Sequence, residues 1–120
     1  MKVLIVESEA ALAKLWSQHL GRIGALTYIA TDQDAAIDYL AENAPDVIIM
    51  DLVLDNGSAL AVADFASYRR PETRVIFVTN TSFFSDGSIF SHVQNACAFV
   101  QTYTPPEDLV AMVEHYAAAS

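Results

Sequence analysis

Three short apolar runs constrain this chain more than any other feature: Val3-Leu4-Ile5-Val6, Val47-Ile48-Ile49-Met50 and Val75-Ile76-Phe77-Val78. A continuous apolar run bounded by polar residues reads as a strand covered on both faces, the condition of a parallel sheet between layers of helices. The runs are followed by Glu7, Asp51 and Thr79. In open α/β sheets, ligands bind beyond the carboxyl ends of the strands. Two carboxylates and a hydroxyl are therefore expected together at one edge.

Helix-like segments separate the strands. The first strand is Lys2 to Val6. A helix follows from about Glu9 to His19 or Leu20, stopped by Gly21, with Leu12, Leu15, Trp16 and Leu20 on its inner face. The second strand is Leu26 to Ala30. Thr31 and Asp34 resemble a capping box for the second helix, which holds Ile37, Tyr39 and Leu40 and ends before Pro45. The third strand is Asp46 to Met50. Asp55-Asn56-Gly57 is turn chemistry, and Ser58 caps a third helix from Ala59 to about Tyr68. The fourth strand is Arg74 to Val78. A polar stretch from Thr79 to Ser88 leads into a short fourth helix, Ser88 to Gln94. The fifth strand runs from Ala98 to Gln101 or Thr102. Pro105-Pro106 opens a fifth helix, with Glu107 and Asp108 in its first turn. Five βα units without repeats imply one α/β domain over residues 1–120, a doubly wound five-stranded parallel sheet with no output domain.

Charge narrows the functional classes. The chain has 15 Asp and Glu against 6 Lys and Arg, a formal net charge of -9. Such a surface repels nucleic acid phosphates and anionic membranes, so neither is an expected partner. No signal peptide and no apolar stretch long enough to span a bilayer is visible, which makes the cytoplasm the expected compartment. Cys97 is the single cysteine and reads as a buried, inert thiol. His19, His92 and His115 show no metal-ligand spacing. Arg69-Arg70 reads as the solvated end of the third helix. A flavodoxin-type ligand-binding protein is the alternative class. It needs a phosphate-cradling loop after the first strand, whereas Glu7-Ser8-Glu9 repels phosphate, and no GxGxxG or Walker sequence exists.

The motifs together resemble the receiver domain of bacterial two-component response regulators. Glu7-Ser8-Glu9 after the first strand resembles the family's acidic pair. Val47-Ile48-Ile49-Met50-Asp51-Leu52-Val53-Leu54 with Asn56-Gly57-Ser58 resembles the phosphoacceptor strand and its loop. Val75-Ile76-Phe77-Val78-Thr79 resembles the strand that ends in the switch hydroxyl. The resemblance covers essentially the whole chain. It implies a flavodoxin-like strand order 2-1-3-4-5, Asp51 as phosphoacceptor, Thr79 as switch hydroxyl, and Phe99 at the aromatic switch position, where a plain core role competes. It also implies a Mg²⁺ site formed by Glu7, Asp51 and the Val53 backbone carbonyl.

The departures fall on the site itself. Ser8 stands where the family has the acid that ligates Mg²⁺. Thr102, or Gln101 after a one-residue shift, stands where the family has a lysine, and Tyr103 replaces the proline that follows. Moving a phosphoryl group onto a carboxylate joins two anions, so the reaction rests on positioning and electrostatics. Loss of one carboxylate is expected to weaken Mg²⁺ binding by about tenfold or more. Loss of the lysine removes the cation that pairs with the phosphoryl group. The expected protein is a stand-alone, atypical receiver in a phosphorelay, with weak or impaired phosphorylation of Asp51 and at most slow autodephosphorylation. A phosphorylation-independent docking module is the other version. A histidine kinase or other signalling proteins are the expected partners. A homodimer through the fourth helix, fifth strand and fifth helix is a further expectation, with Phe83, Phe84, Phe90 and Tyr103 as contacts.

Overall fold

The computed structural model describes residues 1–80 and 95–118. Its strands are β1 (Lys2–Val6), β2 (Leu26–Ala30), β3 (Val47–Asp51), β4 (Arg74–Thr79) and β5 (Ala96–Gln101). Its helices are α1 (Ala10–Gly21), α2 (Gln33–Glu42), α3 (Ala59–Arg69) and α4 (Pro106–Ala118). The strands form one five-stranded sheet in the order β2-β1-β3-β4-β5, and every neighbouring pair is parallel. The expected order is met. The α4 helix is the fifth expected from sequence; the expected fourth, Ser88 to Gln94, lies outside the described residues, as do Phe83 and Phe84 before it.

The uninterrupted apolar runs have a direct structural cause. Successive strand side chains point to opposite faces, and here each face carries its own helical layer. Leu4, Val6, Ile48, Met50, Val75 and Phe77 pack with Ala36 and Leu40 of α2 and Val62, Ala63 and Ala66 of α3. Val3, Ile5, Val47, Ile49, Ile76 and Val78 pack with Ala13, Trp16 and Leu20 of α1 and Leu109 and Val113 of α4. A polar residue within β1, β3 or β4 would be buried on whichever face it occupied. Edge strand β2 is covered less completely: Leu26 is 68% exposed.

The strands are aligned at their starts by polar contacts. The Lys2 amide donates to Asp46 Oδ2 at 2.8 Å, and the Asp46 amide donates to the Lys2 carbonyl at 2.9 Å. Thr73 Oγ1 donates to the Pro45 carbonyl at 2.7 Å.

Several local expectations change. The N-cap of α2 is Asp32, whose Oδ1 accepts the Ala35 amide at 2.9 Å, rather than Thr31. Ser58 caps α3 as expected, accepting the Ala61 amide. Gly21 is the last residue of α1 instead of its stop; the left-handed turn that reverses the chain is at Gly24, φ +83°. Leu15 is 39% exposed and lies off the buried stripe, which Ala13 shares with Trp16 and Leu20. Arg69 and Arg70 are not simply solvated. Arg69 Nη2 donates to the Ala41 carbonyl at 3.0 Å, and Arg70 Nε donates to the Leu40 carbonyl at 3.0 Å. They satisfy carbonyls at the end of the neighbouring helix, where a cation also meets the negative dipole end.

Candidate functional site

The parallel order brings the ends of β1, β3, β4 and β5 to one edge of the sheet. Asp51 and Thr79 are the last residues of β3 and β4, and Glu7 follows β1 directly. Glu7 is held in line by its amide, which donates to the Ala30 carbonyl at 3.1 Å. Thr102 follows β5, and its amide donates to the Thr79 carbonyl at 2.8 Å. Gln101 pairs with Thr79 in the sheet register, so Thr102 lies one residue beyond it. The edge therefore gathers all the candidate residues.

Asp51 is half-buried, and its Oδ1 accepts the Val53 amide at 2.9 Å. That bond folds the first residues of the following loop back over the carboxylate. Val53 itself is 62% exposed. Thr79 is 1% exposed and, like Phe99, has an interaction partner in the fold. Phe99 also packs against Phe77, with ring centroids 6.4 Å apart, consistent with a core role.

Glu7 is the electrostatic centre of the edge. It is 3% exposed. Its Oε1 accepts the Glu9 amide at 3.2 Å, while Oε2 is buried and accepts from no donor; carrying a proton, the carboxyl hydrogen-bonds Asp51. Burial pushes its carboxyl from 4.5 up to about 8, and the adjacent Asp51 carboxyl pushes the same way; the Glu9 amide opposes both. Desolvation and a like charge both favour the neutral acid. At neutral pH Glu7 therefore keeps its proton.

Ser8 does not substitute for an acid here. Its hydroxyl donates to the Thr31 carbonyl at 3.0 Å and accepts the Asp55 amide at 2.9 Å. The side chain thereby ties three loops together, those after β1, β2 and β3. A magnesium ion prefers near-octahedral oxygen ligation with several waters. The Glu7 and Asp51 carboxyls and the Val53 carbonyl supply oxygens of that kind as a reduced ligand set, Glu7 only after releasing its proton. Among the described residues no group of three His, Cys, Asp or Glu is placed to hold a metal ion. The positive charge is elsewhere: Lys2 and Arg74 open β1 and β4 at the far end of the sheet, and Arg69 and Arg70 serve α2.

One functional contact escaped sequence reasoning. Gln33 Oε1 accepts the Ser58 amide at 2.8 Å, and the Gln33 amide donates to the Asn56 carbonyl at 3.3 Å. Gly57 adopts φ +98°, and a Cβ there would collide with the Gln33 side chain. The Asp-Asn-Gly turn signals a reversal; nothing in the local sequence signals that its anchor lies more than twenty residues earlier.

Comparison with known proteins agrees with this geometry. The family model for the response regulator receiver domain matches residues 3–114. A probable transcriptional regulator, ycf27, of Guillardia theta is 36% identical over 53 residues, which are 44% of this chain and 21% of that protein. The transcriptional regulatory protein DltR of Streptococcus agalactiae is 29% identical over 82 residues, 68% of this chain and 37% of that protein. The matched segments thus span well under half the length of these curated relatives. Among solved structures, a CheY-like receiver domain protein from Methanospirillum hungatei superposes with a TM-score of 0.89 at 21% identity, covering 98% of this chain and 94% of that one. The receiver domain of NtrX from Brucella abortus gives 0.86 at 22% identity, covering 98% and 99%. Among the described residues no helix is long and apolar enough to cross a membrane.

Proposed function

This chain belongs to the response regulator receiver domain family of two-component signalling, and from that membership we propose that Asp51 is a weak phosphoacceptor in a domain that signals by protein contact. The observation that carries the reading is the engagement of Ser8. Its hydroxyl is bound on both sides by backbone groups, where the family has an acid that ligates Mg²⁺.

In the proposed reaction Asp51 Oδ2 attacks the phosphorus of a phosphohistidine in a histidine kinase. A new O–P bond forms, the N–P bond breaks, and its electron pair leaves with the imidazole. The Val53 amide orients the carboxylate through Oδ1. Without a metal ion, Glu7 limits repulsion by holding its proton. Once it releases that proton, Glu7 with Asp51 and the Val53 carbonyl would hold a magnesium ion, which when bound supplies positive charge against the incoming phosphoryl group. Thr102 offers only a neutral hydroxyl on the β5 side. The transferred group therefore meets less positive charge than a lysine-bearing site gives it.

Incubation with acetyl phosphate and Mg²⁺, followed by intact mass measurement, tests this. Slow and partial gain of one phosphate is expected, and Asp51→Asn abolishes it. Rapid, complete phosphorylation lost in Asp51→Asn would refute impairment.

One observation favours a second version, a docking module that needs no phosphate. The loop after β3 is already fastened by Ser8 at Asp55 and by Gln33 at Ser58. If that loop keeps one shape, partner affinity is unchanged by Asp51→Asn. A partner that binds only the phosphorylated chain excludes this version.

A further inference from the structure

A cleft of about 840 Å³ opens at the far end of the sheet from Asp51, between the C-terminal ends of α2 and α3 and the segment before β4. Arg69, Arg70 and Arg74 line it, half of the six basic residues in an otherwise acidic chain. Asp46 and Glu72 also line it. Asp46 is already occupied by the Lys2 amide, and Glu72 is exposed.

The three arginines are differently employed. Arg69 and Arg70 each donate to carbonyls at the end of α2, which fixes their guanidinium groups and offsets the negative helix end. A guanidinium has five N–H donors, so most of theirs remain open. The Arg74 side chain makes no hydrogen bond or ion pair with any described residue. Asn95 lines the cleft and is 6% exposed. Its Oδ1 accepts the Ser67 hydroxyl at 2.7 Å, yet its Nδ2 is buried with no partner. That donor lies beneath the cleft wall, so the arginines form the polar lining that a ligand meets.

We propose that this cleft binds a small organic anion through a phosphate group. Planar guanidinium forks match phosphate oxygens in geometry and charge. Phosphate presents three such oxygens where a carboxylate presents two, which suits a cleft lined by three arginines. The volume falls in the range of small-molecule sites, roughly 300–1,000 Å³, and leaves room for an organic portion beside Asn95. The site shares no residue with the Asp51 edge and stands whether or not Asp51 is phosphorylated.

Titration of ¹⁵N-labelled protein with adenosine monophosphate, and separately with inorganic phosphate at constant ionic strength, tests the proposal by NMR. Saturable shifts are expected at the amides of Arg69, Arg70 and residues 72–74. They persist in Asp51→Asn. Arg74→Ala, at a half-exposed position outside the core, weakens binding by about tenfold or more, the worth of one charge-assisted hydrogen bond. Tighter binding of the nucleotide than of phosphate identifies an organic ligand, and equal affinities identify the free anion. Shifts that grow linearly without saturating, or an unchanged affinity in a folded Arg74→Ala variant, overturn it.

Discussion

The Ser8 hydroxyl accepts the Asp55 amide at 2.9 Å while donating to the Thr31 carbonyl. Ser8 thus acts as a clasp between three loops. Ser8→Asp is expected to trade the clasp for charge. Mg²⁺ affinity, measured by calorimetry, rises about tenfold, and phosphorylation by acetyl phosphate quickens. The lost hydroxyl bonds cost about 1 kcal/mol of stability. Unchanged Mg²⁺ affinity would show that a carboxylate at this position does not reach the ion.

Glu7 makes stability depend on pH in a defined direction. Its carboxyl is raised from 4.5 to about 8. Below 4.5 folded and unfolded chains both keep the proton, and the stabilising contribution is fully present. Between 4.5 and about 8 the unfolded chain releases the proton while the folded chain retains it. Stability from this group therefore falls as pH rises through that window, at roughly 1.4 kcal/mol per unit or less. Glu7→Gln is expected to flatten the slope and to raise the melting temperature at pH 9 in metal-free buffer. Parallel melting curves for both proteins between pH 5 and 9 contradict the assignment.

The cap of α2 can be tested by paired substitutions. Asp32→Ala removes the side chain that accepts the Ala35 amide and is expected to cost about 0.5–2 kcal/mol in urea unfolding. Thr31→Ala is expected to cost much less. The reverse ranking would return the cap to Thr31.

Cys97 is expected to resist alkylation. Burial pushes its thiol from 9.0 up to about 11, although Arg74 pulls in the other direction. The thiolate is the reactive form, so at pH 7.5 labelling by iodoacetamide is expected to be about a hundredfold slower than for an exposed cysteine. Labelling at the rate of free cysteine would place the sulfur in a different environment.

The fold was largely legible because its strongest signal is also its strongest energetic term. The runs at Val3, Val47 and Val75 are apolar on both faces, and only a covered parallel sheet buries both. Asp51 was legible for the same reason, as a charge that ends such a run. Contacts between distant loops were not legible. The Gln33–Ser58 and Ser8–Asp55 bonds join residues far apart in sequence, and polar loop residues carry no periodicity to reveal a partner. The α2 cap was misread because Thr31 and Asp32 are adjacent and both are good caps; only backbone geometry separates them. Arg69 and Arg70 looked solvated because their acceptors are main-chain carbonyls, which sequence does not distinguish.

The two-sided burial of the central strands has a consequence for how they find their alignment. In a sheet with one wet face, sliding a strand by a single residue exposes its oily side chains, and solvation alone forbids the error. Here a slip of β1 would merely exchange Leu4 and Val6 for Val3 and Ile5, greasy on either side. Solvation is nearly blind to that mistake. Shape, and the polar groups at the strand ends, must detect it: Asp46 gripping Lys2 at one end, Glu7 and Asp51 closing the other. The acids that look like signalling chemistry thus also serve as the ruler by which the sheet measures itself, and variants that neutralise them should be checked for misalignment before they are checked for lost signalling.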